Sequence, residues 1–222
     1  MLAGGTSRRL RTEGTVPSDV LPGGVLTPGM DKTEVVLRGR TLLEHVLDGC
    51  AGAAQIAVVG PVRPLCLPAG PGGRERVRWC RESPAGAGPL AAVAAGASAT
   101  GERPAPVVVV LGGDMPFVGG AVAPLLAALE RGRRADPDLD AVALARAGGG
   151  HHPLCLAVRR TALTAALTRL GDPTGRPLRL LLAHLRLGAV ADAGDWALDV
   201  DDGADLLAAL ARFATGSPVL PR

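Results

Sequence analysis

The sequence predicts a three-layer α/β/α fold around a mostly parallel, Rossmann-like β-sheet. Short apolar runs of strand length alternate along the chain with stretches whose apolar residues recur at helical spacing. This alternation is typical of chains that place helices on both faces of a parallel sheet. The 222 residues contain no internal repeat and no linker, so we expect one domain spanning residues 1–222.

Each predicted element depends on a local pattern. Val107–Leu111 consists of five consecutive apolar residues, and Gln55–Val59 is a compact apolar run that ends at Gly60-Pro61. Thr41 suits an N-cap because Glu44 falls in the first turn of the apolar-periodic stretch that follows. The predicted strands are Glu34–Leu37, Gln55–Val59, Val77–Cys80, Val107–Leu111, Asp140–Ala145, Leu154–Val158 and Gly188–Ala191, and the predicted helices are 42–47, Leu90–Ala99, Val118–Leu129, Thr161–Leu170, Pro177–Leu185 and a last one through Phe213.

Composition argues against several classes of protein. No apolar run reaches the roughly 18 residues that cross a bilayer, and no basic segment followed by an apolar core marks a secretory signal. Four scattered cysteines are typical of reduced thiols, so we expect a cytoplasmic protein. The net charge is +3, but two Trp, two Phe and no Tyr offer little stacking surface for nucleic acid. We therefore expect a small anionic substrate, and neither a membrane nor a nucleic acid as partner.

The segment Met1–Lys32 combines a glycine-rich loop with an isolated lysine. Gly4 and Gly5 let a ligand approach the backbone closely, and successive N–H groups in such a loop can bind an anion. Lys32 is the only lysine, whereas the other 23 residues of the Lys+Arg set are arginines. A lysine kept in such a chain favours a site that needs a compact ammonium group, as a phosphate-binding site does. The alternative is a surface lysine that remained by chance.

The same segment resembles the signature of the molybdenum cofactor guanylyltransferase family, within the nucleotidyltransferases that act on nucleoside triphosphates. A lone Gly-Gly loop would be weak support, but the whole string is fairly specific. The resemblance implies that the loop wraps the nucleotide and that Lys32 contacts its phosphates. The matching strings are Leu2-Ala3-Gly4-Gly5-Thr6-Ser7-Arg8-Arg9-Leu10 and Gly29-Met30-Asp31-Lys32, and the nucleotide-binding residues they imply are Leu2, Ala3, Gly4, Gly5, Arg9 and Lys32.

Two features depart from that family. Eighteen residues, Arg11–Pro28, are inserted between the two parts of the motif, and their Pro and Gly content predicts a flexible flap. The family also has a buried apolar strand directly before its glycine loop, whereas only Met1 and Leu2 precede Ala3 here. Because the neighbours of a central parallel strand are buried on both faces, we expect the natural start to lie upstream of Met1.

A second glycine-rich loop, Arg81–Leu90, leads into an Ala-rich helix. Pro89 suits a helix start, where free N–H groups can face an anion. The family has a similar Gly-Pro-Leu-Ala segment, preceded by an acidic residue that contacts the nucleotide. The resemblance therefore implies that Gly88 lies at the nucleotide, that Ser83 stands where the acid is expected, and that Glu82 replaces it. The alternative is a loop that only caps the helix.

Asp114 follows the strand Val107–Leu111 through two glycines. Ligands of open α/β sheets bind at this edge, and a carboxylate there suits Mg²⁺. The alternative is an aspartate that caps the next helix. The family has an Asp-x-Pro here and uses its aspartate on magnesium, so the resemblance implies that Asp114 is a catalytic, metal-binding and nucleotide-binding residue.

Two further aspartates precede the last helix. Strand-like alternation places Asp199 and Asp201 on one face, so both can converge on the ion held by Asp114. The family has Asn-x-Asn or Asp-x-Asp at this place, and an Asp in place of Asn keeps an oxygen ligand for Mg²⁺. The alternative is an acidic N-terminus of the helix, which is favourable by itself.

The acceptor side is predicted from His152 and Arg179. The adjacent histidines His151 and His152 invite a metal hypothesis, but neighbouring side chains of an extended segment point to opposite faces. The family carries a His-Pro at the turn into its next strand, so the resemblance implies that His152 lies near the acceptor. It implies the same of Arg179, for which the alternative is a solvated arginine on a helix face.

Taken together, the resemblance implies Mg²⁺-dependent transfer of a guanylyl group from GTP to molybdopterin or its molybdenum-loaded form, with release of pyrophosphate. Gly4-Gly5 favours guanine, because cytidylyl relatives tend to have Ala-Gly. The alternatives are another acceptor such as a sugar phosphate or a phospholactate, CTP as the nucleotide, and a non-catalytic nucleotide-binding adaptor. We also expect transient contact with enzymes that receive the cofactor.

Overall fold

A computed structural model describes residues 31–66, 73–100 and 105–215 of the chain. The glycine-rich loop, the flap Arg11–Pro28 and the expected strand before Ala3 lie outside these ranges, so they stay predictions. No helix within the ranges is long and apolar enough to cross a membrane. The helices are α1 (Leu42–Gly49), α2 (Pro89–Ala99), α3 (Gly119–Ala135), α4 (Arg160–Leu170), α5 (Arg179–Leu182) and α6 (Gly203–Ala214), and the strands are β1 (Val36–Leu37), β2 (Arg40–Thr41), β3 (Ile56–Val59), β4 (Val77–Cys80), β5 (Val107–Leu111), β6 (Ala141–Ala145), β7 (His151–Arg159) and β8 (Leu187–Val190).

The main sheet has the strand order β5-β7-β6-β8. β5, β6 and β8 run in one direction, and β7 runs against them. β7 is antiparallel because it follows β6 through a short turn closed by the hydrogen bond from Arg146 N to Gly150 O, and a parallel neighbour would need a much longer crossover. The predicted, mostly parallel sheet is therefore a mixed sheet with one reversed strand. β3 and β4 form a separate parallel pair, and β1 and β2 a small hairpin.

The three predicted layers are confirmed by the way in which the strands divide their side chains. On β6, Val142 and Leu144 pack with α3, whereas Ala141 and Ala143 pack on the other face with α4. β7 divides its buried side chains between the same two clusters. This period of two is the geometry of a strand buried on both faces.

α2 connects the parallel pair β3–β4 with the four-stranded main sheet. It packs on β3 so closely that a Cβ on Gly96 would lie 3.1 Å from Val59 Cγ2. Its residues Leu90 and Val93 also belong to the cluster that contains Val110 of β5. An apolar cavity of about 420 Å³ lies between β3 and β5 beside α2. Within the described ranges the two sheets are thus joined through this helix.

The last helix packs against the first described residues. Val200, Leu206 and Ala209 share a buried cluster with Val35, Leu37 and Leu42, and Phe213 stacks on Phe117 with ring centroids 4.7 Å apart. This cluster brings the segments around residues 32 and 201 together. Neither segment's local pattern of apolar residues predicts this packing contact.

Several predicted boundaries are wrong. Glu34 lies in a 3-10 turn, Lys32–Glu34, rather than in a strand. β7 begins at His151 instead of Leu154, so His152 and Pro153 lie within the strand, where the β6–β7 register shifts. A proline is tolerated at such an irregularity because no ladder hydrogen bond is needed there. α3 continues to Ala135, and α5 covers only Arg179–Leu182 of the predicted range Pro177–Leu185.

Gly49 and Gly119 provide a test of this packing, because α1 and α3 meet backbone to backbone there. A Cβ on Gly119 would lie 2.6 Å from Gly49 Cα. We expect Gly119→Ala to lower the free energy of unfolding by about 1–3 kcal/mol, the usual range for overpacking, in urea denaturation. Gly148→Ala is the matched control, since nothing lies within 4 Å of its added Cβ, and should stay within about 0.5 kcal/mol of the parent. Equal stability of the two variants would contradict the close approach.

Candidate functional site

Lys32 and Asp201 form an ion pair between segments 169 residues apart. The Lys32 side chain is 12% exposed, and its ammonium contacts Asp201 Oδ1. The 3-10 turn that carries Lys32 is fixed by Asp31, whose Oδ1 accepts hydrogen bonds from Thr33 N at 3.0 Å and Thr33 Oγ1 at 2.7 Å. The sole lysine therefore points towards the aspartates that precede α6.

Asp114 is held beside this pair by the turn after β5. Its backbone oxygen accepts a hydrogen bond of 3.1 Å from Val200 N, so the turn is tied to the segment that carries Asp199 and Asp201. Its Oδ1 lies 3.0 Å from the place that a Cβ on Gly112 would occupy. The same Cβ would lie 2.7 Å from Met115 Sδ, so a side chain at residue 112 would press on both Met115 and the carboxylate.

The charges of these residues act on one another. Burial raises the pKa of the Asp114 carboxyl above its usual value, Lys32 lowers it, and the negative charges of Asp199 and Asp201 raise it further. The structure therefore brings Lys32, Asp114, Asp199 and Asp201 into one electrostatic neighbourhood, as the sequence predicts.

The aspartates around the start of α6 have two different roles. Asp202 caps the helix by accepting from Ala204 N and Asp205 N, and Asp205 accepts in turn from Asp201 N and Asp202 N. Asp199 and Asp201 make no capping contact through their carboxylates, and they flank the buried Val200. The alternative of an acidic helix N-terminus thus applies to Asp202 and Asp205.

The carboxylates of Asp114, Asp199 and Asp201 suit a divalent cation whose coordination is completed by water and a bound substrate. In the described part of the chain, no three His, Cys, Asp or Glu side chains are grouped as a ready metal site. Mg²⁺ is usually bound by one or two carboxylates together with waters and substrate phosphates, so it does not need such a group. A half-buried carboxylate beside two more negative charges suits a cation, because among the described residues Lys32 is the one positive charge that lowers its pKa. The set Asp114, Asp199 and Asp201 stays our prediction for the metal ligands.

The second glycine loop has a well-defined shape. Glu82 Oε1 accepts a hydrogen bond of 2.9 Å from Gly86 N, and Ser83 is exposed. Gly88 is the N-cap of α2 with φ +94°, a conformation that favours glycine. None of these three residues hydrogen-bonds to Lys32 or Asp114, so their predicted contact with the nucleotide stays a prediction.

His152 and Arg179 are placed differently. His152 is half-buried beside a cavity of about 560 Å³ that Asp192, Leu198 and Arg212 also line. Burial and the charge of Arg146 lower the pKa of His152, whereas Asp192 and Asp199 raise it. Arg179 is exposed at the start of α5 and makes no ion pair with a residue of the described ranges. The structure thus brings His152, but not Arg179, into the electrostatic reach of Asp199.

One residue near the site has no sequence signal. Arg63 forms ion pairs with Asp31 and Glu34, the acidic neighbours of Lys32, although it lies between two predicted strands in a segment without a predicted element. No spacing or motif distinguishes this arginine from the others in the chain.

Comparisons with known proteins find a matching family and several similar structures. The family described as "MobA-like NTP transferase domain" matches residues 1–188. The structure is similar to a molybdopterin-guanine dinucleotide biosynthesis protein A from Archaeoglobus fulgidus, with 20% identity, a TM-score of 0.63 and coverage of 96% of this chain and 97% of that one. It is also similar to a nucleotidyl transferase from Methanothermobacter, with 21% identity, a TM-score of 0.64 and coverage of 97% and 96%. A third similar structure is the 2-C-methyl-D-erythritol 4-phosphate cytidylyltransferase of Thermus thermophilus, with 23% identity, a TM-score of 0.57 and coverage of 82% and 93%. No curated protein sequence matches the chain significantly. At these identities the solved structures show a common fold.

Asp114→Asn tests the charge balance of the site. Because burial raises the folded-state pKa of Asp114, ionisation of this carboxyl lowers stability progressively as the pH rises above its ordinary value of 3.8. We therefore expect the Asn variant, without divalent metal at pH 7, to have the higher Tm, and the gain to vanish below about pH 3.8. Each 1 kcal/mol should appear as about 2–4 °C in a thermal melt.

The control for that melt is Asp138→Asn, which replaces an exposed carboxylate on the same scaffold. It should leave the Tm nearly unchanged, since an exposed ion pair contributes about 0–1 kcal/mol. A lower Tm of Asp114→Asn at pH 7 would show that the carboxylate is compensated in the free protein.

Proposed function

Because the chain belongs to the family of MobA-like NTP transferase domains and is a nucleotidyltransferase, we propose that it transfers a guanylyl group from GTP to the terminal phosphate of molybdopterin. The molybdenum-loaded form of molybdopterin is an acceptor of the same chemistry, and pyrophosphate is the second product. The similar Archaeoglobus structure, described as molybdopterin-guanine dinucleotide biosynthesis protein A, supports this choice of substrates.

One observation carries the proposal. The ammonium of Lys32, the half-buried carboxylate of Asp114 and the charges of Asp199 and Asp201 act on one another at the carboxyl end of β5. They come from three distant parts of the chain. A cation between carboxylates at this edge of an α/β sheet is suited to a triphosphate with a bound metal ion.

The residues divide the binding of GTP among them. Lys32 holds the triphosphate, and Asp114 with Asp199 or Asp201 holds Mg²⁺. When bound, Mg²⁺ neutralises charge on the α-phosphate and fixes its orientation. The loop Leu2–Gly5 with Arg9 holds the guanosine, and Glu82, Ser83 and Gly88 contact the nucleotide from the second glycine loop. The roles of the two loops come from the resemblance.

The reaction needs little acid–base chemistry from the protein. An oxygen of the acceptor phosphate attacks the α-phosphorus of GTP, the bond from that phosphorus to the oxygen bridging to the β-phosphate breaks, and pyrophosphate leaves with the bond electrons. The attacking oxygen is already ionised at neutral pH, so no base has to remove a proton. Rate then comes from in-line positioning and from stabilisation of charge.

The acceptor lies on the side of His152 in this proposal. Burial lowers the pKa of His152, so the neutral imidazole is favoured at pH 7 and can donate a hydrogen bond to a phosphate or a pterin carbonyl. Arg179 is a second predicted acceptor contact, although no described residue ties it to the site.

Pyrophosphate release tests the reaction. The protein is incubated with Mg²⁺, molybdopterin and each of GTP, CTP, ATP and UTP in turn, and we expect pyrophosphate with GTP and only in the presence of the acceptor. Faster release with CTP would overturn the base, and release with a sugar phosphate but not with molybdopterin would overturn the acceptor. Binding of GTP without pyrophosphate release for any acceptor would refute the proposed reaction.

Lys32→Ala tests the central cation. We expect kcat/KM for GTP to fall by a factor equivalent to roughly 2–4 kcal/mol of transition-state stabilisation, because the triphosphate loses its ammonium contact. Arg131→Ala, which removes an exposed charge from α3, should leave kcat/KM within about twofold. A turnover of Lys32→Ala within a few-fold of the parent would contradict the assigned role.

A further inference from the structure

Arg63 contacts both acidic neighbours of Lys32 with one guanidinium. Its Nη2 donates to Asp31 Oδ2 at 2.5 Å, and its Nη1 lies 3.2 Å from Glu34 Oε1. The Arg63 side chain is only 9% exposed, and the guanidinium carbon lies 6.0 Å from the centre of the Trp79 ring. The arginine is therefore fixed from the β4 side and clamps the turn Lys32–Glu34.

Lys32 pairs with Asp201 rather than with either of its acidic neighbours in sequence. Asp31 lies directly before Lys32 and Glu34 lies shortly after it along a tight turn, close enough in sequence for a flexible ammonium to reach either. Arg63 occupies an oxygen of each, and the second oxygen of Asp31 is taken by Thr33. Lys32 instead reaches across to Asp201.

Arginine is the residue suited to this task. Its planar fork can bridge two carboxylates at once, whereas a lysine is a point charge on a flexible stem. Burying the guanidinium is costly, since Arg63 Nε and Nη1 find no well-aligned hydrogen-bond acceptor among the described residues. A partly satisfied buried arginine is poorly explained by stability alone, because such groups are normally hydrogen-bonded.

We propose that Arg63 is a positioning residue that acts through Lys32. It neutralises Asp31 and Glu34, so that the ammonium of Lys32 faces the aspartate cluster and the phosphates of the nucleotide. The effect on turnover rests on the proposed function, whereas the effect on the position of Lys32 does not.

A double-mutant cycle on activity is the first test. Arg63→Met keeps much of the length of the side chain and its packing on Trp79 but removes the charge. We expect it to lower kcat/KM for GTP by about 10–100-fold, mainly through KM, and to lower it by less than about threefold further in a Lys32→Ala background. Equal losses in both backgrounds would mean that Arg63 acts independently of Lys32, which would overturn the inference.

Arg63→Lys and Arg40→Ala complete the set. Arg63→Lys keeps one positive charge without the fork and should recover only part of the activity lost in Arg63→Met; it also carries the cycle if Arg63→Met fails to fold. Arg40 is the matched control, because it too pairs with an aspartate, Asp48, near the hairpin but away from Lys32. Arg40→Ala should leave kcat/KM within about twofold, and a loss as large as that of Arg63→Met would count against a specific role of the clamp.

Acylation of Lys32 tests the inference without any turnover. An amine-reactive acyl reagent is added to the whole protein, and mass spectrometry of peptides separates Lys32, the only lysine, from the N-terminal amine. We expect Lys32 to be acylated several-fold faster in Arg63→Met, because the ammonium can then turn outwards to the exposed Glu34, and at the parental rate in Arg40→Ala. An unchanged acylation rate in folded Arg63→Met would overturn the inference. A faster rate in a protein that releases no pyrophosphate would keep it and refute only the proposed reaction.

Discussion

The arrangement of the site depends on the contact between the first and last described segments, at which Lys32 meets Asp201. An ion pair with one half-exposed partner contributes little net free energy, since desolvation and side-chain ordering offset the attraction. The apolar cluster formed by Val35, Leu37 and Leu42 with Val200 and Leu206 is therefore what holds the two segments together. Within that contact, the ion pair sets how the Lys32 and Asp201 side chains face each other.

The turn after β5 holds the Asp114 carboxylate, whose negative charge is unfavourable in the free protein, at the edge of the sheet where α/β folds bind ligands. Asp114 is half-buried and lies beside two other aspartates, and both effects raise the pKa of its carboxyl. Such a group weakens the free protein and binds a cation more strongly, because the cation relieves the repulsion. Gly112 leaves room for Met115 and for the carboxylate, and the hydrogen bond from Val200 N to Asp114 O ties the turn to the last segment.

Lysine and arginine side chains, which differ in shape, make different ion pairs near the site. The guanidinium of Arg63 forms ion pairs with two carboxylates in a nearly buried position, whereas the single lysine places a compact ammonium against Asp201 across the site. We expect that exchanging these two residue types would leave the formal charge unchanged and disrupt both sets of ion pairs. The single lysine of the chain thus lies where a compact ammonium meets a carboxylate.

The sequence by itself determined the order and type of nearly all described elements, because apolar periodicity, the Thr41–Glu44 capping box and the Gly-Pro breaks act locally. It also indicated candidate site residues, through the scarcity of lysine, positions at strand ends and a family motif: Lys32, Asp114, Asp199 and Asp201. Only the tertiary structure decided that Val35 and Leu37 pack against Val200 and Leu206, that β7 lies between β5 and β6, and that Arg63 clamps the turn of Lys32. These features depend on contacts between residues far apart in the chain, whose partners are set by packing of the layers and leave no periodic trace in the sequence.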